Sequence, residues 1–153
     1  MGKVFYLFWS PDWAIVSLQF GPARAPKKKR KFIEYQYKKR LNNLQSVQIR
    51  SYKDWCSPVS WLVTLRLKTK NLKLRNKLIY FLQSKGIDAR PMIRPVHQAR
   101  HFKNYFNKKR YLNSYEQSMT SFHLPSSPNL SLVQIKYICS QLNLFLKKNE
   151  KKI

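Results

Sequence analysis

Between residues 74 and 97 the chain changes its hydrophobic period, and this change constrains the fold more than any other feature of the sequence. Leu74, Leu78, Phe81 and Leu82 recur at helical spacing and share one face of a helix, with Asn71 placed to cap its first turn. Gly86 follows where helices commonly stop, because glycine takes the left-handed conformation without a steric penalty. Residues 87–93 then read as extended, and Pro91 and Pro95 drive Arg90 and Arg94 toward extended backbone. The stretch therefore predicts a helix, a stop, a short strand and a stiff turn that gathers Arg90, Arg94 and His97 into one small region. A cation-rich loop of this kind suits an anion or substrate contact. The same residues also suit a surface turn in a lysine-rich protein.

Upstream, Val59, Trp61, Val63, Leu65 and Leu67 alternate with Ser60, Thr64, Arg66 and Lys68, although Leu62 interrupts the polar face. That pattern predicts a strand with one buried face, and Val47 and Ile49 predict a shorter one. Phe32, Ile33, Tyr35, Tyr37, Leu41 and Leu44 form an apolar stripe that predicts a helix over about 28–44. Its entry, residues 26–31, is a compact basic run that resembles a nuclear import signal or nucleic-acid patch. A solvated first helical turn explains it as well, although three lysines there oppose the helix dipole. Downstream lie a basic, aromatic region around His101, Phe102, Tyr105 and Phe106, a short helix over 115–122 and a rigid turn over 123–128. Ser131 and Gln134 are spaced as a capping box opening a last helix, whose buried stripe is Ile135, Ile138, Leu142 and Phe145. The fold class these pieces predict is α+β: a small sheet packed by helices, ending in a long helix.

With 153 residues, 43% of them hydrophobic and 14% aromatic, the chain has the size and composition of one folded domain and not of a disordered segment. A net charge of +25 points to acidic partners, and nucleic acid is the partner of the alternative reading, a basic nucleic-acid-binding protein. That charge is spread along the chain, however, and the aromatics needed for base stacking fall mostly on the apolar stripes. Cys56 and Cys139 show neither metal spacing nor a disulfide framework, so a reduced, cytoplasmic chain is expected. No run approaches the roughly 20 apolar residues of a membrane span. Ser10, Pro11 and Asp12 interrupt the N-terminal apolar stretch that a secretion signal would keep unbroken.

Six acidic residues, far apart in sequence, give little support to paired-carboxylate catalysis. His97 and His101 have a helical zinc spacing but no glutamate between them and no third ligand, so no metal site is expected. Three glycines leave no phosphate-binding loop, and neither Ser nor Cys lies in a nucleophile elbow.

Taken in order, several blocks are similar to the C-terminal part of the DegT/DnrJ/EryC1/StrS family of PLP-dependent sugar aminotransferases, nearest to its perosamine-synthase-like members. Residues 30–37 with Leu41 resemble an arginine-led helix of the family, and residues 61–65 its first small-domain strand. Residues 75–82 followed by Lys85-Gly-Ile-Asp-Ala-Arg-Pro91 resemble its helix and Gly-Ile-x-x-Arg-Pro segment, and Pro95-Val-His97 its Pro-x-His element. Ser118, residues 124–131 and residues 135–142 resemble the Leu-Pro turn and final helix. Residues 14–20 match a further family helix more weakly, with Val16 where the family has glycine, and the family's Asn-x-Arg element has no counterpart in residues 4–7.

The resemblance implies the small C-terminal domain of a fold-type-I PLP aminotransferase over residues 27–153, with residues 1–26 a degenerate junction to an N-terminal PLP domain. It also implies transfer of an amino group from an amino-acid donor to a nucleotide-linked ketosugar for polysaccharide or lipopolysaccharide synthesis. His97 and Arg90, with Arg94, are expected on the substrate side of the cleft. The family's cofactor lysine and the aspartate paired with its pyridine nitrogen have no counterpart here, although the lysine holds the cofactor and the acid keeps the ring an electron sink. The chain alone is therefore expected to be a partial enzyme that neither binds PLP covalently nor transaminates. A separate N-terminal half and, as in most family members, a homodimer are the partners this implies.

Overall fold

The computed structural model describes residues 24–69, 71–105 and 111–149. Four helices and four short strands follow one another in the order α1 (Arg24–Leu41), β1 (Val47–Ile49), β2 (Val63–Leu67), α2 (Leu72–Ser84), β3 (Arg90–Pro91), α3 (Leu112–Thr120), β4 (Ser121–Leu124) and α4 (Leu132–Lys148). Two 3-10 turns, Val96–Gln98 and Arg100–Tyr105, join β3 to α3. The expected residues 1–23 of the junction and Phe106 lie outside the described residues.

The strands form one antiparallel sheet in the order β1-β2-β4-β3. Thr64 stands opposite His123, and His123 opposite Arg90, so β4 is the strand between β2 and β3. Alternation along the strands divides the sheet into two faces. Val47, Val63, Leu65, Leu67, Phe122 and Leu124 lie on one and are all buried. They join Ile33, Tyr37 and Leu41 of α1, Leu74, Leu78 and Leu82 of α2, and Ile135, Ile138 and Leu142 of α4 in a single core. Gln48, Thr64, Arg66, Ser121 and His123 take the opposite face by register.

Local signals account for the helices. The Asn71 side chain accepts a hydrogen bond from the Leu74 N–H at 3.1 Å and opens α2. At its end Gly86 has φ +74°, the left-handed stop expected there. Ser131 and Gln134 form a reciprocal capping box at the start of α4. Helix α1 starts earlier and ends earlier than predicted, at Arg24 and Leu41, with Pro26 in its first turn, where a missing N–H costs no helical bond. Phe32 and Tyr35 are exposed, so the buried stripe of α1 is narrower than its apolar pattern.

Three expectations change. The strand predicted from Val59 begins at Val63, because Ser60 takes φ +56° and turns the chain, leaving Val59 and Trp61 exposed. The helix predicted over 115–122 ends at Thr120, and Ser121–Leu124, read as a helix end and a turn, form the strand between β2 and β3. The extended stretch 87–93 pairs in the sheet at Arg90–Pro91 alone.

Candidate functional site: a cationic cleft beside the sheet

A cleft of about 580 Å³ opens between the start of α2, the end of α3 and the segment that follows β3. Its polar wall carries Arg75, Asn76, Arg94, His97, Gln98 and Tyr115, and its apolar floor includes Leu72, Met92 and Met119. Each wall segment is tied down by its own backbone. The Met92 N–H donates to the Ser121 carbonyl at 3.2 Å, hooking the post-β3 segment to the start of β4. Pro95 then starts a 3-10 turn, closed by Gln98 N–H donating to the Pro95 carbonyl at 2.9 Å. On that turn the His97 ring stacks on Tyr111, with centroids 4.5 Å apart and planes 18° from parallel. The stacking fixes the imidazole at the cleft's edge.

Arg75 is the feature that sequence reasoning missed. It is 8% exposed, and its Nη1 donates to the carbonyls of Ser118 at 2.7 Å and Ser121 at 3.5 Å. Its Nε and Nη2 donate to Asn76 Oδ1 at 3.0 and 2.8 Å. Every one of these partners is neutral, and burial lowers the guanidinium's pKa. One sequence signal was present: Arg75 lies one turn into α2, a helix with no acidic residue in its first turn, where a cation opposes the dipole.

The structure places the predicted site residues in two locations. Arg94 and His97 line the cleft together. Arg90 lies outside its lining and grips Asp88 in a fork, with Nε–Oδ1 and Nη2–Oδ2 both 2.9 Å. The hydrogen bonds and charge of Asp88 raise the Arg90 pKa, while both side chains stay exposed. His97 and His101 sit on two separate 3-10 turns and do not share a helical face.

His123 lies on the other side of β4 from the core. Its Nδ1 is 3.0 Å from Thr64 Oγ1, and burial lowers its pKa. It borders a second, shallower hollow of about 400 Å³ with Arg50, Trp61 and Met92. The segment that frames this hollow is tied to α1 by Lys38, which lies 4.7 Å over the Tyr52 ring and pairs at 2.9 Å with Glu34 of its own helix. Burial, then the charge of Glu34, raises the Tyr52 pKa.

The described residues of the main cleft's wall do not supply the groups that covalent PLP chemistry needs. Among them is neither a lysine to bind the cofactor nor a carboxylate to pair with a pyridine nitrogen. Guanidinium, amide and imidazole groups instead suit it to bind and orient an anionic or polyhydroxylated ligand. Among the described residues no helix is long and apolar enough to cross a membrane.

Comparison with known proteins agrees with this architecture. The GDP-perosamine synthase of Escherichia coli O157:H7 is 30% identical over 109 residues, which are 71% of this chain and 28% of that protein. Among solved structures, the assigned sugar aminotransferase Spr1654 from Streptococcus pneumoniae, in its PMP form, matches with TM-score 0.76 at 21% identity, covering 86% of this chain and 33% of that one. Helicobacter pylori PseC, an aminotransferase involved in the biosynthesis of pseudoaminic acid, matches with TM-score 0.70 at 16% identity, covering 80% and 33%. The chain thus spans about a third or less of the length of these relatives. The model of the DegT/DnrJ/EryC1/StrS aminotransferase family matches residues 13–143, and the chain belongs to that family.

Proposed function

We propose that residues 27–153 act as the C-terminal small domain of a PLP-dependent aminotransferase of nucleotide-linked ketosugars, with residues 1–26 the junction to a cofactor-bearing domain. The observation that carries this reading is the composition of the cleft wall: Arg94 and His97 converge on it, and among the described residues it has no lysine or carboxylate. Such a wall binds and orients a substrate. It leaves the cofactor chemistry to groups supplied from the opposite side, by the rest of a longer enzyme or by a separate half. In this reading Arg94 and His97 meet the acidic sugar nucleotide, and Arg90 shapes the wall's outer edge through its fork with Asp88. The completed enzyme takes its amino group from an amino-acid donor, works in the cytoplasm on sugars for polysaccharide or lipopolysaccharide, and assembles as a homodimer.

The chain alone is inactive in this proposal. Incubation with PLP, borohydride reduction and mass mapping is expected to leave no single lysine stoichiometrically labelled. A uniquely labelled lysine would overturn the proposal. Adding the chain to a cofactor-bearing domain of the E. coli relative that lacks its own C-terminal part is expected to restore amino transfer from glutamate to a nucleotide ketosugar. The His97→Ala variant is expected to fail in the same assay.

A further inference from the structure

We propose that the free edge of β1, with the groove that separates it from α1, takes an extended acidic peptide of a partner protein as a fifth strand. This place is at the opposite edge of the sheet from the cleft, and nothing in the assignment depends on what the cleft binds.

Backbone geometry is the first argument. The Lys68 N–H donates to the Ser46 carbonyl at 3.0 Å, so residues 46 and 48 turn their backbone groups toward β2. Alternation turns those of Val47 and Ile49 outward, where β1 has no neighbouring strand. The Val47 N–H is taken up by the Leu44 carbonyl at 3.4 Å. Among the described residues the Val47 carbonyl and both backbone groups of Ile49 have no main-chain partner on that side. One donor and two acceptors thus face outward, the pattern to which an added strand pairs.

The groove is the second argument. It has a volume of about 920 Å³ and lies between this edge and the second half of α1. Leu44 and Ile49, both partly buried, line it and offer apolar contact to alternate side chains of an incoming strand.

Charge decides what enters. Lys38, Lys39, Arg50 and Lys68 line the groove, and among the described residues no carboxylate does. Lys38 is paired with Glu34, but Lys39, Arg50 and Lys68 are exposed and no described carboxylate holds them. Lys38 and Arg50 both approach the Tyr52 ring, at 4.7 and 5.3 Å, which steadies two of the cations at one end. Two copies of β1 placed edge to edge would set these cations against one another. The charges that protect the edge from self-pairing therefore select a partner of opposite sign. The phosphates of a polynucleotide answer the charge but bring no donor to the Val47 and Ile49 carbonyls. An acidic peptide answers both.

The probe is an eight-residue peptide in which four glutamates alternate with valines and threonines, titrated into the full chain at constant ionic strength while backbone amide signals are followed by NMR. A saturable shift centred on the Ile49 N–H is expected, and none with the same peptide carrying glutamine for glutamate. Methylating the amide nitrogens of the glutamates, or those of the other four residues, leaves the charge unchanged and removes the donors along one edge at a time. At least one of these two forms is expected to lose binding. Equal binding by all three forms would overturn strand addition, as would shifts that stay linear in peptide or an equal response to the glutamine peptide. The exposed pair Lys39→Gln and Lys68→Gln is expected to stay folded and to weaken binding about fivefold, and unchanged binding in that variant would remove the charge argument. Octathymidylate that shifts the same amides and binds more tightly than the peptide would make the groove a polynucleotide surface and overturn the assignment.

Discussion

On one face of the sheet Leu65 and Phe122 are shielded by three helices, whereas on the other Thr64 and His123 meet a loop and a shallow hollow. The two faces share every strand yet differ in what holds them. The first is stabilised by apolar burial, which depends on neither protonation nor charge screening and tolerates little loss of volume. The second relies on a few polar pairs, Thr64 with His123 and Arg66 with Glu116 at 3.8 Å, whose strength depends on protonation and screening. The stable face anchors the fold, and the polar face and the neighbouring cleft are where ligands and partners would act.

The contrast breaks most readily at Phe122. Its truncation to alanine is expected to cost about 3–5 kcal/mol in urea denaturation, because a fully buried side chain leaves a cavity. If Thr64→Val on the opposite face cost as much, the two faces would not differ as described.

Acidification sharpens the comparison next. His123 has a folded pKa below its ordinary 6.5, because burial disfavours the charged ring. The unfolded chain therefore binds the proton more readily, and stability present above pH 6.5 is lost as the pH falls below it. Thermal denaturation of the wild type and of His123→Gln should show a shallower acid loss in the variant. A parallel pair of curves would remove His123 from the account.

A smaller effect is expected at Tyr37, whose ring is in the core while its hydroxyl donates to the Pro125 carbonyl at 3.0 Å. Tyr37→Phe should cost about 1 kcal/mol in the same urea measurement. The smallest is Asp88→Asn, which breaks an exposed fork and should change stability by less than roughly 1 kcal/mol.

What could be read from sequence followed the range of the forces involved. Helices α2 and α4 carry long periodic stripes with side-chain caps, and such local signals survive without knowledge of the fold. Strand β4 has four residues, all buried, and its partners lie in segments far away along the chain. No local period distinguishes it from the end of the preceding helix. The alternation at Val59 and Trp61 continued past the point where Ser60 turns the chain, so pattern alone overextended β2. Of the three site residues expected together, the turn set by the two prolines carries Arg94 and His97 to one wall and leaves Arg90 outside it. The burial of Arg75 arises from the α3–β4 junction closing over it, a tertiary event that a stripe of leucines does not announce.

The strand order has a consequence for how the molecule is made. Strand β4 lies between β2 and β3 but leaves the ribosome after both, and His123 lies 59 residues beyond its partner Thr64. Until residues 121–124 arrive, β2 offers one unpaired edge and β3 has no neighbour at all. Closing so distant a contact is slow, and an open strand edge in a nascent chain invites pairing with the wrong molecule. A pause in translation before β4, or loss of a chaperone that shields that edge, would therefore lower the yield of soluble protein without altering a single contact in the finished fold.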